Sequence, residues 1–177
     1  MIFSYEKKIS FFYFKIATFV IATFMLESCT LIFSFITMNV EIITEPLSLN
    51  VYGFSGTATN KDYTGTAFSL MDKMWKIVKS NNVKNKGLNI WVYEQGDGVF
   101  AGVELDDVPN ENLGLEQKKI SLSKYAYYKH VGPDNLIKQA GQNMTAELKN
   151  KGFETTLPYI EIYGHWNSDE IKLETEL

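Results

Sequence analysis

Pro158-Tyr159-Ile160-Glu161-Ile162-Tyr163-Gly164 is a short, strongly β-prone stretch with a carboxylate at its centre. Alternate side chains of a strand point to opposite faces, so Ile160 and Ile162 face one way. The other face carries Tyr159, Glu161 and Tyr163. This face suits an apolar cation, because the rings bind its body and the carboxylate binds its charge. Taken alone, the strand is better explained as a solvent-exposed face with a solvated glutamate. The rest of the chain is what favours a binding site.

The periodicity of apolar residues predicts two helices, at residues 64–80 and 134–151, because each segment carries a single apolar stripe. Alternating patterns bounded by turn residues predict strands at 40–43, 47–56, 88–94, 99–105, 118–130, 159–164 and 171–177. The order strand, helix, strand, strand occurs twice. It indicates a duplicated βαββ unit and an α+β fold with one shared antiparallel sheet.

The duplication predicts where the candidate site residues lie. Superposing the two units by order places Trp91-Val92-Tyr93 against Glu161-Ile162-Tyr163. Both helices are expected on one face of the sheet, above the apolar residues Ile90, Val92, Ile160 and Ile162. The face left uncovered would then carry Trp91, Tyr93, Tyr159, Glu161 and Tyr163. A ligand groove is expected on that face, where the two units meet.

The composition argues against several classes of function. All 17 basic residues are lysine and the net charge is −4. Direct nucleic-acid binding is therefore not expected, since phosphate and base-edge recognition depend heavily on arginine. The only cysteine is Cys29, which excludes an intramolecular disulfide. His130 and His165 are too scattered to indicate a metal site, and no motif calls for a cofactor.

Residues 1–37 form an apolar segment that differs from the rest of the chain, and three interpretations stay open. Met38 could be the true start, which would make the segment upstream sequence and the protein cytoplasmic. The segment could instead be a membrane anchor, although Glu27 near its middle is costly in a bilayer. It could also be a cleaved signal, since Leu26-Glu27-Ser28-Cys29 is similar to a lipoprotein cleavage box.

Three motifs occur in order along the predicted elements: Val99-Phe100-Ala101-Gly102-Val103-Glu104, then Lys124-Tyr125-Ala126 with His130-Val131-Gly132-Pro133, then Pro158–Tyr163. Together they resemble the GyrI-like effector-binding domain found in bacterial drug-responsive transcription regulators and in stand-alone, integron-associated proteins. The resemblance covers residues 38–177. It implies a duplicated βαββ fold with a pocket for lipophilic, often cationic molecules, whose buried carboxylate corresponds to Glu161. No DNA-binding domain is expected here, and the last strand stops earlier than is usual in the family.

Three functions follow as hypotheses. The first is a multidrug-type binding module, a sensor or a sequestering protein, in which Glu161 supplies the countercharge. The second is a hydrolase of reactive small molecules, in which Glu104 would join Glu161 as a carboxylate pair. The third is a protein-interaction or inhibitor module with an acidic surface. In the first, the aromatic ligand-binding residues would be Trp91, Tyr93, Tyr159 and Tyr163, although each ring could also serve packing alone.

Overall fold

The computed structural model describes residues 38–107, 113–165 and 168–177. Two α-helices are present in these ranges, α1 at Tyr63–Ser80 and α2 at Ile137–Asn150. The strands are β1 Glu41–Ile43, β2 Leu47–Thr57, β3 Asn85–Glu94, β4 Gly98–Leu105, β5 Glu116–Leu122, β6 Tyr125–Tyr127, β7 Lys129–Val131, β8 Tyr159–Tyr163 and β9 Glu174–Glu176. Short 3₁₀ turns occupy Thr59–Lys61, Asp134–Leu136 and Glu170–Lys172. The predicted α+β class is confirmed.

Seven strands form one antiparallel sheet in the order β5-β2-β4-β3-β8-β9-β7. Leaving out the edge strand β5, the other six strands fall into two triplets, β2-β4-β3 and β8-β9-β7, related by a pseudo-twofold axis at the β3/β8 pair. Each triplet contains one helix in its connection from the first strand to the second. The sheet therefore has the arrangement expected of a duplicated βαββ unit. A separate two-stranded sheet pairs β1 with β6.

Helix α1 begins with a side-chain cap, since Asp62 accepts a hydrogen bond of 3.0 Å from the backbone N–H of Gly65. Its apolar stripe buries Ala67, Met74 and Val78. Met74 and Val78 pack with strand residues that include Tyr52, Phe54 and Val103. Helix α2 buries Ile137, Ala140, Met144 and Leu148 in a second cluster.

The face of the sheet that the helices cover differs from the prediction. Ile90 and Val92 pack in a cluster drawn only from strands, with Leu49, Val51, Phe100 and Ile120 buried and Ile160 and Ile162 at its margin. Trp91 packs with Ala67 of α1, and Tyr159 and Tyr163 pack against α2. The prediction that the aromatic face is uncovered was wrong. Both faces of β3 and β4 are apolar, so alternation alone could not show which face carries the helices.

Two predicted strands are also shorter than expected. The segment 118–130 divides into β5, β6 and β7, which pair with β2, β1 and β9 respectively. The chain must break between them because β5 and β7 lie at opposite edges of the sheet. The segment 171–177 begins with part of a 3₁₀ turn, and only Glu174–Glu176 forms a strand.

The three interpretations of residues 1–37 concern residues outside those described. Within the described ranges, neither helix combines the length and apolar character needed to cross a membrane.

Candidate functional site

The two central strands bring Trp91 and Glu161 together. They are directly opposite each other in the β3/β8 pairing, on the face that carries the helices. The superposition of Trp91-Val92-Tyr93 on Glu161-Ile162-Tyr163 makes Trp91 and Glu161 equivalent positions. Equivalent positions lie opposite each other where two strands pair across a twofold axis, as Trp91 and Glu161 do here. Trp91 is 3% exposed and Glu161 is 7% exposed. A tryptophan and a carboxylate are therefore buried side by side at the pseudosymmetry axis.

Tyrosine hydroxyls solvate the buried carboxylate. Tyr93 and Tyr163 each donate a hydrogen bond of 2.8 Å to Oε2 of Glu161. The hydroxyl of Tyr159 contributes more weakly, as a further group that lowers the pKa of the carboxylate. These three tyrosines are those that strand alternation placed on the same face as Glu161. The structure thus brings together five of the six predicted site residues: Trp91, Tyr93, Tyr159, Glu161 and Tyr163.

Aromatic rings enclose this carboxylate closely. Trp91 lies against Tyr163 with ring centroids 4.6 Å apart, and Tyr93 stacks on Tyr159 at 5.7 Å. Helix α1 adds two rings that the sequence analysis missed. Phe68 meets Trp91 edge-on at 4.9 Å, and Tyr63 meets Tyr93 at 6.1 Å.

The sequence does offer a signal for Phe68, because this residue lies just outside the apolar stripe of its helix. In the structure Phe68 is 49% exposed, whereas Ala67, Met74 and Val78 of the stripe are buried. An aromatic side chain at the margin of a stripe can line a site as well as close a core. Tyr63 gave no comparable signal, because its position depends on how the helix docks.

Burial is the main influence on the pKa of Glu161. Burial raises the pKa of Glu161 above its ordinary value, and the hydrogen bonds from Tyr93, Tyr163 and Tyr159 lower it only in part. Burial, together with the carboxylate, also raises the pKa of each of these tyrosines, so their hydroxyls stay protonated and donate. Among the described residues, the ion pairs with defined geometry do not involve Glu161.

A second polar group in the cluster lacks a partner. The Nε1–H of Trp91 is buried, and no described atom accepts a hydrogen bond from it. A buried donor without an acceptor costs about 1–3 kcal/mol, so such groups call for an explanation. Within the described ranges, the cluster therefore holds a Glu161 carboxylate outside the ion pairs and a Trp91 indole N–H with no acceptor.

Glu104 does not join this site. On β4 it alternates with Val103, which packs with Met74 of α1, so Glu104 belongs to the opposite face of the sheet. There its Oε2 forms an ion pair of 2.9 Å with Lys86 Nζ, and Oε1 accepts a 3.4 Å hydrogen bond from the backbone of Asn50. The carboxylate pair that the sequence suggested is therefore not formed.

A cavity of about 700 Å³ adjoins the cluster through Tyr159. It is lined by Leu47, Leu122, Ile160 and Ile162 of the sheet and by Met144 and Leu148 of α2. Ile160 and Ile162 belong to the face that was expected to lie beneath the helices, so this cavity is not the groove expected on the aromatic face. In the described ranges, no group of three or more candidate ligand side chains could hold a metal ion.

No protein-family profile matches the sequence, and no curated protein matches it. Solved structures do share the fold. The cryo-EM structure of an EcmrR–DNA complex superposes with a TM-score of 0.62 at 12% identity, covering 97% of this chain and 68% of that chain. The crystal structure of the EcmrR C-terminal domain gives 0.58 at 18% identity, covering 78% and 95%. SAV2435 bound to tetraphenylphosphonium gives 0.54 at 15% identity, covering 78% and 91%. At these identities the likeness shows the fold.

Proposed function

We propose that residues 38–177 form a binding module for lipophilic cations, related to the GyrI-like effector-binding domains and acting as a sensor or a sequestering protein. The observation that carries this proposal is the environment of Glu161. The residue is 7% exposed, and its carboxylate accepts hydrogen bonds from phenol hydroxyls. A buried carboxylate without a countercharge is costly. A bound cation would supply the missing charge.

The aromatic rings fit the same ligand class. A cation beside a tyrosine or tryptophan face gains about 0.5–2 kcal/mol, more where water is excluded. Glu161 also acts in surroundings of low dielectric, where an ion pair is worth more than in water. Flat ring faces discriminate weakly by shape, so we expect the site to accept a range of amphipathic cations.

A structural neighbour supports the choice of ligand. SAV2435, which shares this fold, binds tetraphenylphosphonium, a cation with four phenyl groups. The resemblance of the sequence motifs to GyrI-like domains leads to the same class of compound. The hydrolase alternative has less support, because Glu104 is engaged with Lys86 on the opposite face.

The test is a titration of the full-length chain with tetraphenylphosphonium and with tetraphenylborate, which has the same shape and the opposite charge. Binding is followed by quenching of tryptophan fluorescence, since Trp91 lies in the cluster. We expect the cation to bind and the anion not to bind. Glu161→Gln should weaken binding of the cation by about 10- to 100-fold, as the loss of one buried ion pair implies.

Glu104→Gln is the matched control, because it removes a strand carboxylate on the opposite face and should leave the affinity for the cation unchanged. Equal binding of the cation and the anion would overturn the proposal. An affinity for the cation that Glu161→Gln does not lower would overturn it as well.

A further inference from the structure

The Glu161 cluster and the neighbouring cavity differ in the space that they offer. Around Glu161 the rings are packed close to contact: the centroids are 4.6 Å apart for Trp91 and Tyr163, and 5.7 Å apart for Tyr93 and Tyr159. The cavity beside them measures about 700 Å³, within the range of about 300–1,000 Å³ that is usual for ligand sites. The space for a sizeable ligand therefore lies in the cavity, and the countercharge lies in the cluster.

Tyr159 belongs to both. It lines the cavity, and its ring stacks on Tyr93, whose hydroxyl donates to the Glu161 carboxylate. The Tyr159 hydroxyl lies against α2, since a side chain at Gly141 would come within 2.8 Å of it. One aromatic side chain thus separates the cavity from the carboxylate.

The position of the cavity follows from the pairing of β8. One edge of this strand pairs with β3 along its whole length, from Tyr159 to Tyr163. At the other edge, β9 pairs only with Ile162 and Tyr163. The cavity contacts β8 at Tyr159, Ile160 and Ile162, and it contacts α2 at Met144, Thr145 and Leu148.

The cavity has an aliphatic part that the aromatic cluster lacks, formed by Met144, Leu148, Leu157, Ile160, Ile162 and Leu177. The rings of Tyr125, Tyr127, Phe153 and Tyr159 line the rest of it. Charged groups are Lys124, Glu154 and Glu176, and the Lys124 ammonium lies 5.4 Å from the Phe153 ring centroid. Branched aliphatic walls offer contact on all sides of a flexible chain, whereas ring stacking favours flat groups.

We propose that this cavity binds the alkyl substituent of a lipophilic cation, with Tyr159 as the partition that moves aside to let the cationic centre reach Glu161. The proposal rests on the proposed function of Glu161 and adds the subsite for the apolar part of the ligand. The cationic centre takes the place of the Tyr159 hydroxyl at the carboxylate, while Tyr93 and Tyr163 keep their hydrogen bonds.

A series of alkyltriphenylphosphonium ions tests this, with methyl, propyl, pentyl and heptyl members titrated calorimetrically into the full-length chain. The affinity should rise roughly two- to fourfold for each added methylene, since each methylene that enters an apolar cavity leaves water. Thr145→Trp should flatten this dependence, because Thr145 is an exposed α2 residue that lines the cavity. Asn143→Trp, an exposed α2 position two residues away, is the matched control and should retain it.

Thr156→Trp fills the cavity from the loop and provides a second variant should Thr145→Trp fail to fold. A chain-length dependence that is the same in the cavity-filling variants and in Asn143→Trp would overturn the proposal. The methyl member separates this outcome from failure of the proposed function. If it binds and Glu161→Gln weakens it, the countercharge stands and only the cavity subsite is refuted.

Discussion

At the level of single residues, the hydrogen bonds of Glu161 determine what its burial costs. Tyr163 donates one of them at 2.8 Å from inside the cluster. Tyr127 also donates to a carboxylate, that of Glu176, but over 3.4 Å and from a less buried position. The two phenols differ in burial and in bond length, so removing each hydroxyl should have different consequences.

We predict that Tyr163→Phe lowers the free energy of unfolding by about 1–3 kcal/mol, because it leaves a buried carboxylate with one donor fewer. Tyr127→Phe should change it by less than about 0.5 kcal/mol. Urea denaturation of the full-length chain measures both. In a Glu161→Gln background the cost of Tyr163→Phe should fall, because a neutral acceptor needs the donor less. An equal cost in both backgrounds would show that the hydroxyl does not act through Glu161.

The sequence was most informative about residues within one strand. Alternation correctly grouped Tyr159, Glu161 and Tyr163, and the duplication correctly placed Trp91 beside Glu161. It could not place Tyr63 or Phe68, because a helix residue enters a site only through the docking of its helix. It left two roles open for Glu104, a site carboxylate or a hydrogen-bonded strand residue, because the choice depends on which face β4 turns toward the site; the ion pair with Lys86 agrees with the second.

At the level of elements, the docking of α1 depends on two small residues. Ala67 on the helix and Ala101 on β4 are both fully buried, and they lie in one cluster with Trp91. Small side chains at such a contact let the helix approach the sheet closely. This contact also holds the helix that supplies Phe68 to the site.

We predict that Ala101→Leu destabilises the protein by about 1–3 kcal/mol, because the larger side chain overpacks the contact and displaces α1. Ser121→Leu on the exposed side of β5 is the control and should change stability by less than about 0.5 kcal/mol. Thermal or urea denaturation measures both variants. If the Ala101 variant proved as stable as the control, α1 would not dock on this face of the sheet.

The lengths and types of the elements were largely predictable, and their faces were not. Both helices followed from a single apolar stripe, whereas β3 and β4 bury apolar residues on both faces. One face packs on the helices, and the other packs within the sheet. Leu122 of β5 and Ile160 of β8 line the same cavity although three strands separate them, so the sheet curls around this second face. Such curvature cannot be inferred from strand alternation.

At the level of the whole molecule, duplication produces the site. The order β2-β4-β3-β8-β9-β7 places the axis between Trp91 and Glu161, so the two units differ at the position where they meet. One unit contributes the aromatic residue and the other contributes the carboxylate. The carboxylate that we propose as the countercharge therefore lies where the two units meet.

We propose that an ionised Glu161 balances the charge of a bound cation. Burial raises the pKa of Glu161 above its ordinary value, so at pH values below that raised pKa a bound cation has to displace a proton from the carboxyl group. The tyrosines around Glu161 do not titrate in this range, because the pKa of each is raised.

The most direct measurement is calorimetric titration of the full-length chain with tetraphenylphosphonium at a series of pH values from 4.5 to 8. We expect the affinity to rise with pH, by up to about tenfold per pH unit below the raised pKa of Glu161, and then to level off. Glu161→Gln should bind more weakly and show no such dependence. An affinity that is flat across this range in the unmodified protein, or one that rises equally in the variant, would contradict the account.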